Sequence, residues 1–444
     1  MKIALVALVV LAVLALLVLV HRWLWIRLVR DTTAPGALSR RIGTVLAFTL
    51  PLLSVAALTA GRAGAPFRLQ QAVAWPGFLW LAVLLYLTLT MLVAEPVRAL
   101  LLRRLAHRIP SGEDRGSAPN PAPRSPAGLQ PAGRSTAAQG PGPGPDPGPG
   151  DPAPAAQGAG SGPADSGGLL LDRRRFVARA IGGAAAAVAV GTVANGAHGV
   201  LRGPRVKRVQ VPLAKLPRAA HGFRIAVVSD IHLGPVLGRA HTQRIVDTVN
   251  RTQPDLIAIV GDLVDGNVHD LGPAAEPLRR LSARHGTYFV TGNHEYFSGA
   301  AQWVDHVREL GLIPLENARR PLPYFDLAGV NDIAGESEGH GPDFRAALGD
   351  RDRSRSAVLL AHQPVVIHDA VRHGVDLQLS GHTHGGQLWP GNYLAELANP
   401  TVAGLERYGD TQLYVSRGAG AWGPPVRVGA PSDITVVELA SYQA

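Results

Sequence analysis

Three long apolar runs within the first hundred residues constrain this chain more than any other feature of its sequence. They cover residues 3–26, 42–60 and 75–94. A helix of about 20 apolar residues can cross the hydrocarbon core of a bilayer, and the first run is longer than the apolar part of an ordinary signal peptide. We therefore predict an all-α transmembrane region with three spans in residues 1–108, rather than three buried helices of a soluble protein.

The distribution of charge divides the chain into two halves. The 444 residues carry a formal net charge of +10, but residues 1–200 hold 19 Lys and Arg against 8 Asp and Glu, whereas residues 201–444 hold 24 against 25. The second half is nearly neutral, which argues against a nucleic-acid-binding groove there. The sequence has no cysteine, which excludes disulfides, thiolate zinc sites and a cysteine nucleophile.

The arginines of the first half are unevenly spread among the connections between the apolar runs. Nine of them lie in residues 22–41 and 98–108, whereas the connection between the second and third runs holds only Arg62 and Arg68. Cytoplasmic loops of membrane proteins carry an excess of Lys and Arg. The pattern predicts that the N-terminus is outside and that the first and third connections are cytoplasmic.

A change of composition follows the membrane region. Residues 109–168 are mostly Pro, Gly, Ala and Ser, a composition that cannot bury enough apolar area to offset its chain entropy, so we predict a disordered cytoplasmic linker. Arg173-Arg174-Arg175-Phe176 then resembles a twin-arginine export signal, although such signals are normally N-terminal. Residues 169–200 are predicted to be a fourth membrane-crossing segment, with an amphipathic juxtamembrane helix as the alternative. A crossing would carry the C-terminal half to the extracytoplasmic face.

Residues 201–444 have the pattern of a soluble α/β domain, in which short apolar strands alternate with amphipathic helices. The helices are predicted at 239–250 and 300–310. Eight strands are predicted, at 223–229, 256–260, 287–290, 324–330, 357–361, 377–380, 412–416 and 434–439. The later strands are less clearly separated by helices than the earlier ones. We therefore expect an α/β fold of the four-layer αββα type, with two sheets, rather than a single doubly wound sheet.

Polar side chains that can bind metal ions or transfer protons follow the ends of five predicted strands. They are Asp230, His232, Asp262, Asn293, His294, His362, His382 and His384. Loops at the carboxyl ends of adjacent strands converge on one crevice, so residues far apart in the sequence can meet there. We predict a single site.

The residue types in this set indicate divalent-metal chemistry. Carboxylate, imidazole and amide ligands without thiolate suit Mn, Fe, Zn or Mg, and seven potential ligands exceed what one ion needs. Asp262 could bridge two ions about 3.5–4 Å apart, which would clamp a phosphate and activate a water molecule for in-line attack. His294 is not needed as a ligand and could protonate the leaving oxygen.

The blocks Asp230-x-His232, Gly261-Asp262, Gly292-Asn293-His294-Glu295, His362 and Gly381-His382-x-His384 together resemble the signature of calcineurin-like metallophosphoesterases. The stretch 381–387 is most similar to the membrane-associated bacterial subgroup of that family. The resemblance covers about residues 223–439, and it implies a metallophosphoesterase sandwich in the domain 201–444 and two divalent ions. It implies one ion on Asp230, His232, Asp262 and His384, a second on Asp262, Asn293, His362 and His382, and His294 as the general acid.

The expected function is therefore that of a membrane-anchored phosphoesterase acting on a phosphodiester or phosphomonoester. A lipid-linked or envelope phosphoester is a candidate substrate because the domain is tethered near a bilayer. The alternative is a catalytically silent sensor that binds metal or phosphate and is coupled to the membrane region. The intact ligand set and His294 favour the enzyme, because a binding module has no use for an acid.

Several other residues allow two interpretations. Glu295 could orient His294 or could be a surface carboxylate paired with an arginine. Trp389 and Tyr393 could form a wall of the substrate site, although aromatic residues near the edge of a domain more often pack in the core. The eight histidines outside the strand-end motifs are expected to be solvent-exposed. They are His221, His241, His269, His285, His306, His340, His368 and His373.

Overall fold

The computed structural model describes residues 2–107 and 166–442. Its first part consists of four long helices: α1 (Lys2–Trp25), α2 (Leu38–Thr59), α3 (Phe67–His107) and α4 (Ser166–Leu201). Each of the four contains a segment long and apolar enough to cross a membrane by length and composition. The predicted apolar helices are thus confirmed.

The predicted linker falls largely outside the described residues. Helix α4 begins at Ser166, so the last three residues of the stretch 109–168 are helical rather than disordered, and residues 108–165 lie outside the described part of the chain. The arginine cluster at 173–175 lies inside α4, ahead of its apolar segment. Its role as an export signal stays a prediction.

The ends of the long helices are chemically different. At one end, Arg27 bonds Glu95 (Nη2 to Oε1, 2.6 Å), and Arg98 bonds Asp31 (Nη2 to Oδ2, 3.1 Å). The basic connection after α1 therefore lies beside the polar part of α3. At the other end, Phe67 at the start of α3 packs against the core of the C-terminal domain. The first and third connections therefore lie at the same end of the long helices, as the charge pattern predicted. The side of the membrane on which they lie stays a prediction.

The C-terminal domain contains two sheets of six strands each. The first has the order β1-β12-β2-β3-β4-β5, and the second has the order β10-β11-β9-β8-β7-β6. The strands are β1 (Arg205–Leu213), β2 (Phe223–Val228), β3 (Leu256–Val260), β4 (Thr287–Val290), β5 (Ile313–Pro314), β6 (Ala318–Pro321), β7 (Asp326–Gly329), β8 (Ala357–Leu360), β9 (Leu377–Ser380), β10 (Gly404–Tyr408), β11 (Thr411–Val415) and β12 (Asp433–Ser441). Strands β2 to β5 are mutually parallel, as are β7, β8, β9 and β11.

Seven short helices accompany these strands. They are α5 (Arg239–Arg251), α6 (Val268–Ala275), α7 (Asn293–Ser298), α8 (Ala300–Glu309), α9 (Phe344–Leu348), α10 (Ile367–Arg372) and α11 (Gly391–Ala398). Side chains such as Val227 and Leu360 form a core between the two sheets. A second cluster joins α5 and α8 to the outer face of the first sheet, and a third joins α9 and α10 to that of the second. These layers confirm the predicted αββα sandwich.

All eight predicted strands and both predicted helices are present with boundaries shifted by at most a few residues. Strands β5, β6 and β10, which lie at sheet edges, were not predicted from the sequence, and neither was strand β1. It follows α4 directly and pairs in parallel with β12, so the end of the last long helix is tied to an edge of the first sheet.

The long helices also pack directly against a loop of the C-terminal domain. Leu388, Val426 and Val428 belong to an apolar cluster with residues of α3 and α4. A Cβ added to Gly196 of α4 would lie 2.7 Å from both the Arg427 carbonyl oxygen and a methyl group of Val426, so glycine permits this close approach.

Candidate metal centre

The eight predicted site residues come together at the carboxyl ends of five strands. Asp230 and His232 follow β2, Asp262 follows β3, and Asn293 and His294 begin α7 after β4. The second sheet contributes His362 after β8 and His382 and His384 after β9. The two sheets therefore present their polar loops to one crevice, as expected for parallel strands.

The backbone at these positions is unusual. Positive φ values occur at eight non-glycine residues in the described part of the chain, and five of them are Asp230, His232, Asp262, His382 and His384. Left-handed backbone is costly for residues with a Cβ atom and persists only where surrounding structure enforces it. The sharp turns direct these side chains into the crevice.

Glycine permits close contacts between these turns. A Cβ atom on Gly381 would overlap Ser229 Oγ and the Asp230 carboxylate, and one on Gly292 would overlap Asp262 Oδ1. The glycines beside the predicted ligands therefore allow loops from different strands to approach each other.

The ligating atoms form two neighbouring groups. In the first, His232 Nε2 lies 2.9 Å from His384 Nε2, which is 3.4 Å from Asp230 Oδ1. In the second, His362 Nε2 lies 3.0 Å from Asp262 Oδ2. His382 Nδ1 lies 2.9 Å from Asn293 Oδ1. The ligating atoms of Asp230, His232 and His384, and those of Asp262, His362 and His382, lie within 4.8 Å of one another in each group.

Asp262 stands between the two groups. Its Oδ2 atom lies 3.0 Å from His362 Nε2 and 3.8 Å from His232 Nε2. Its Oδ1 atom accepts a hydrogen bond from the backbone N–H of His294 at 2.9 Å. The carboxylate therefore has the position that a bridging ligand requires. This grouping coincides with the division of ligands that the family resemblance implies, while ligation itself stays a prediction.

The site chemistry fits divalent cations. His362 Nδ1 donates a hydrogen bond to the carbonyl oxygen of Val260 at 2.8 Å, so the lone pair of a neutral ring is on Nε2. Nε2 is buried, has no hydrogen-bond partner among the described residues, and faces the Asp262 carboxylate. A proton or a metal ion between these two atoms would give both the Nε2 lone pair and the carboxylate a positively charged partner.

The titration properties indicate the same preference for positive charge. Burial lowers the pKa of His232, but the carboxylates of Asp265, Asp262 and Asp230 together outweigh it and raise this pKa to about 9. Burial likewise opposes charge on His362, yet Asp262 raises its pKa well above the usual value. Burial lowers the pKa of His382 to about 4. The site therefore favours positive charge at His232 and His362 but not at His382.

Asp265 is a site residue that we did not identify from the sequence. Its Oδ1 atom lies 2.9 Å from His232 Nδ1 and 2.7 Å from His294 Nδ1, so one carboxylate holds both rings. Burial disfavours its charged form, but His232 lowers the pKa of Asp265 to about 2. Its position three residues after Asp262, in the same strand-end loop, is the sequence signal that could have indicated it.

Asp265→Asn is expected to lower metal affinity or turnover by about 10–100-fold, the usual effect of losing a carboxylate that orients a histidine ligand. An uncharged amide holds the Nδ1 atoms of the two rings more weakly than the Asp265 carboxylate does. Metal titration and the kcat of the purified full-length protein measure the effect. Asp247→Asn is the matched control, because Asp247 is exposed on α5 and bonds only Gln243 in the described contacts. Equal metal affinity and kcat in both variants would contradict the orienting role.

Glu295 has neither of the roles considered from the sequence. It is fully buried and is paired with no arginine in the described structure. Its carboxylate instead accepts hydrogen bonds from the backbone N–H groups of Asp262, Leu263 and Gly292 at 3.0, 2.8 and 2.6 Å. Burial, followed by the charge of Asp262, raises the pKa of Glu295 to about 7. Glu295 therefore joins the β3 loop to the start of α7.

Glu295→Gln is expected to lower the free energy of unfolding by about 1–3 kcal/mol, because the amide NH₂ group leaves a buried backbone donor without an acceptor. Thermal unfolding of the full-length protein in detergent should show a lower Tm. Glu276→Gln is the control, since Glu276 is exposed and forms a surface ion pair with Arg239. A Tm unchanged in both variants would show that the three hydrogen bonds contribute little.

Arg427 is the second residue that we did not identify from the sequence. It is buried, and its guanidinium donates to His384 Nδ1 and to the His384 carbonyl oxygen, both at 3.0 Å. Burial, followed by the charge of Arg427, holds the pKa of His384 well below the usual value. The Arg427 backbone also packs against Gly196 of α4. Arg427 therefore links His384 to that helix.

Aromatic residues surround the open side of the crevice. The His294 ring lies between those of Phe297 and Trp422, with centroid distances of 5.6 and 5.8 Å, and both are exposed. Trp389 and Tyr393 are also exposed, so the expectation that they pack in the core is wrong. The prediction that all eight remaining histidines are solvent-exposed is wrong for His241, which is 1% exposed on the inner face of α5, and His285, His306 and His373 are only partly exposed.

Comparisons with known proteins identify the family to which the chain belongs. The family profile described as Calcineurin-like phosphoesterase matches residues 223–386. The "Transmembrane protein with metallophosphoesterase domain" of Danio rerio is 41% identical over 250 residues, and its counterpart in Bos taurus is 40% identical over 253 residues. Each match covers 53% of this chain and 57% of the relative, so the chain spans little more than half the length of these relatives.

A shorter relative is matched over nearly all of its length. An uncharacterized metallophosphoesterase of Aquifex aeolicus is 34% identical over 240 residues, which cover 53% of this chain and 91% of that protein. The match therefore concerns a whole protein and not only a short motif. With the αββα sandwich and the five strand-end blocks, it establishes that the chain belongs to the calcineurin-like metallophosphoesterase family.

Proposed function

We propose that this protein is a membrane-anchored, binuclear-metal phosphoesterase that hydrolyses a phosphodiester or phosphomonoester. The observation that carries the proposal is the position of Asp262, whose Oδ2 atom faces His362 in one ligand group and His232 in the other. Mixed oxygen and nitrogen ligands suit Mn, Fe, Zn or Mg. One ion would be held by Asp230, His232, Asp262 and His384, and the other by Asp262, Asn293, His362 and His382.

When bound, two divalent ions supply an activated water for in-line attack and offset charge on the phosphoryl oxygens. The chain's own residues supply the rest of the chemistry. Asp265 holds His294 through Nδ1, which leaves the Nε2 edge of the ring free to donate a proton to the leaving oxygen. Phe297 and Trp422 both pack edge-to-face against that ring and provide apolar surface beside it.

The membrane topology is part of the proposal. We propose four crossings by α1 to α4, with the arginine-rich connections in the cytoplasm and the catalytic domain on the extracytoplasmic face. The grouping of Arg27, Glu95 and Arg98 at the end of the helices away from Phe67 supports it. External protease should cut the C-terminal domain in intact cells; cleavage only after lysis would contradict this topology.

The substrate would be a phosphoester present at the membrane, with lipid-linked and envelope phosphoesters as the candidate classes. The near-neutral catalytic half gives no support for a nucleic acid partner. Metal content should be measured on the purified protein, together with turnover of nucleotide diesters, sugar phosphates and phospholipid headgroups. Divalent-dependent turnover of at least one class is expected. Bound metal without any turnover would favour the silent sensor instead.

A further inference from the structure

Helix α11 (Gly391–Ala398) exposes an apolar surface beside the metal centre. Tyr393, Leu394 and Leu397 are 58%, 71% and 85% exposed, and no residue of the helix is buried. Their spacing of three and four residues places them on one face. Trp389, which precedes the helix, is 50% exposed and extends the same segment. An exposed apolar face of this kind marks a surface that contacts a protein or a membrane.

The position of this surface indicates which of these it contacts. The hydroxyl group of Tyr86, in the apolar part of α3, donates a hydrogen bond to the carbonyl oxygen of Trp389 at 3.0 Å. Leu388 packs with Val426 and Val428 against α3 and α4. The segment that leads into α11 therefore starts on helices that are apolar and long enough to cross a membrane. The bilayer around those helices is the nearest apolar phase for the exposed face of α11.

Helix α11 is also joined to the predicted metal ligands at both of its ends. Gly386, two residues after His384, has a φ of 81°, and a Cβ atom there would overlap the backbone of Asn392. Beyond the helix, the Thr383 hydroxyl donates to the carbonyl oxygen of Val402 at 2.6 Å. A lipid surface in contact with α11 would therefore lie next to the turn that carries His382 and His384.

The aromatic residues at the crevice are connected to the same segment. Gln387 donates to the Trp422 carbonyl oxygen at 2.8 Å and accepts from the Trp422 backbone N–H at 3.0 Å. The Trp422 ring in turn packs against His294, the predicted acid. Exposed apolar side chains therefore occur both on α11 and beside the reacting position, where acyl chains attached to a phosphoester could rest.

We propose that α11 and Trp389 form a membrane-docking surface that contacts the bilayer crossed by α1 to α4, and that the substrate is an amphiphilic phosphoester carried by that bilayer. The substrate part rests on the proposed phosphoesterase function. The docking part does not, so the two can fail separately.

Docking can be measured without any catalytic readout. Because the chain has no cysteine, a single Leu397→Cys substitution allows labelling of the full-length protein with an environment-sensitive NBD fluorophore. In vesicles of equal parts phosphatidylcholine and phosphatidylglycerol, we expect blue-shifted emission and quenching by lipids that carry a doxyl group near the headgroup. Val371→Cys on α10 is the control, since Val371 is also partly exposed but lies on the outer layer of the second sheet. Iodide in the aqueous phase should quench the label less at position 397 than at position 371. Equal iodide quenching at the two positions would overturn the proposal that α11 docks on the membrane.

The substrate class is tested with two probes that share a leaving group. Leu394→Glu combined with Leu397→Glu should lower the hydrolysis of p-nitrophenyl phosphatidate in the same vesicles by about tenfold or more, because charged side chains resist entry into the interface. Hydrolysis of soluble bis(p-nitrophenyl) phosphate should be unchanged, which also shows that the variant is folded. Val371→Glu should affect neither probe. Equal loss of hydrolysis on both probes, or no loss on the phosphatidate, would overturn the proposed substrate class. A wild-type protein that is inactive on every phosphoester would refute the proposed function. In that case the NBD measurement alone would decide whether α11 docks on the membrane.

Discussion

Asp262→Asn is expected to abolish divalent-dependent hydrolysis of an aryl phosphoester. The loss should exceed the roughly 10–100-fold effect of removing a residue that only orients a ligand, because Asp262 lies between both ligand groups. An amide has one acceptor oxygen and no charge, so it cannot bridge two cations. Turnover and the number of bound ions per chain measure the result, and we expect fewer bound ions in the variant.

The control for this variant is Asp410→Asn, because Asp410 is exposed in the turn between β10 and β11. It should keep full activity. Asp262→Asn should also keep the Tm of the parent protein within a few degrees if the fold is intact. Activity retained in folded Asp262→Asn would remove the basis for a binuclear centre, and with it the proposed function.

His294→Gln is expected to lower kcat by about 10²–10⁴-fold on substrates with an alkoxide leaving group, the usual contribution of a positioned acid. The decrease should be much smaller for a p-nitrophenyl ester, whose leaving group needs little protonation. The physical reason is the position of the ring, held by Asp265 at Nδ1 with its other edge free. A comparison of kcat for the two leaving groups measures the effect.

This comparison also separates an acid from a metal ligand. His294 lies close enough to His232 and Asp262 for the three to hold an ion together. An acid role predicts unchanged metal content in His294→Gln, whereas a ligand role predicts a loss of metal and equal loss of activity on both leaving groups. His269→Gln, at an exposed position outside the site, should change neither quantity.

The fold was largely predictable because its signals are local. Strands such as β3 and β8 are short runs of apolar residues bounded by polar turns, and α5 has its apolar residues on one face. Strand β1 was missed because its basic and apolar residues alternate at a sheet edge, and only the pairing with β12 makes it a strand. Edge strands have weak local signals since one side is open to solvent.

The candidate ligands could be predicted from the sequence, but the residues that hold them in position could not. Histidine, aspartate and asparagine at the ends of parallel strands indicate their chemistry through residue type and position alone. The role of Glu295 was not predicted because its carboxylate accepts hydrogen bonds from the backbone N–H groups of Asp262 and Leu263, which lie more than 30 residues away in the sequence. Arg427 holds His384 across 43 residues, and no local pattern predicts such a contact.

The sequence by itself determined the four apolar helices, the αββα sandwich and which residues are candidate metal ligands, because hydrophobic periodicity and ligand chemistry are properties of the chain. Only the tertiary structure decided how Asp265 and Arg427 hold those residues, and where α11 lies relative to the membrane helices. Burial and hydrogen-bond partnership depend on which surfaces meet when the chain folds. An exposed leucine on α11 and a buried one in β3 are the same residue type in the sequence, and the fold alone distinguishes them.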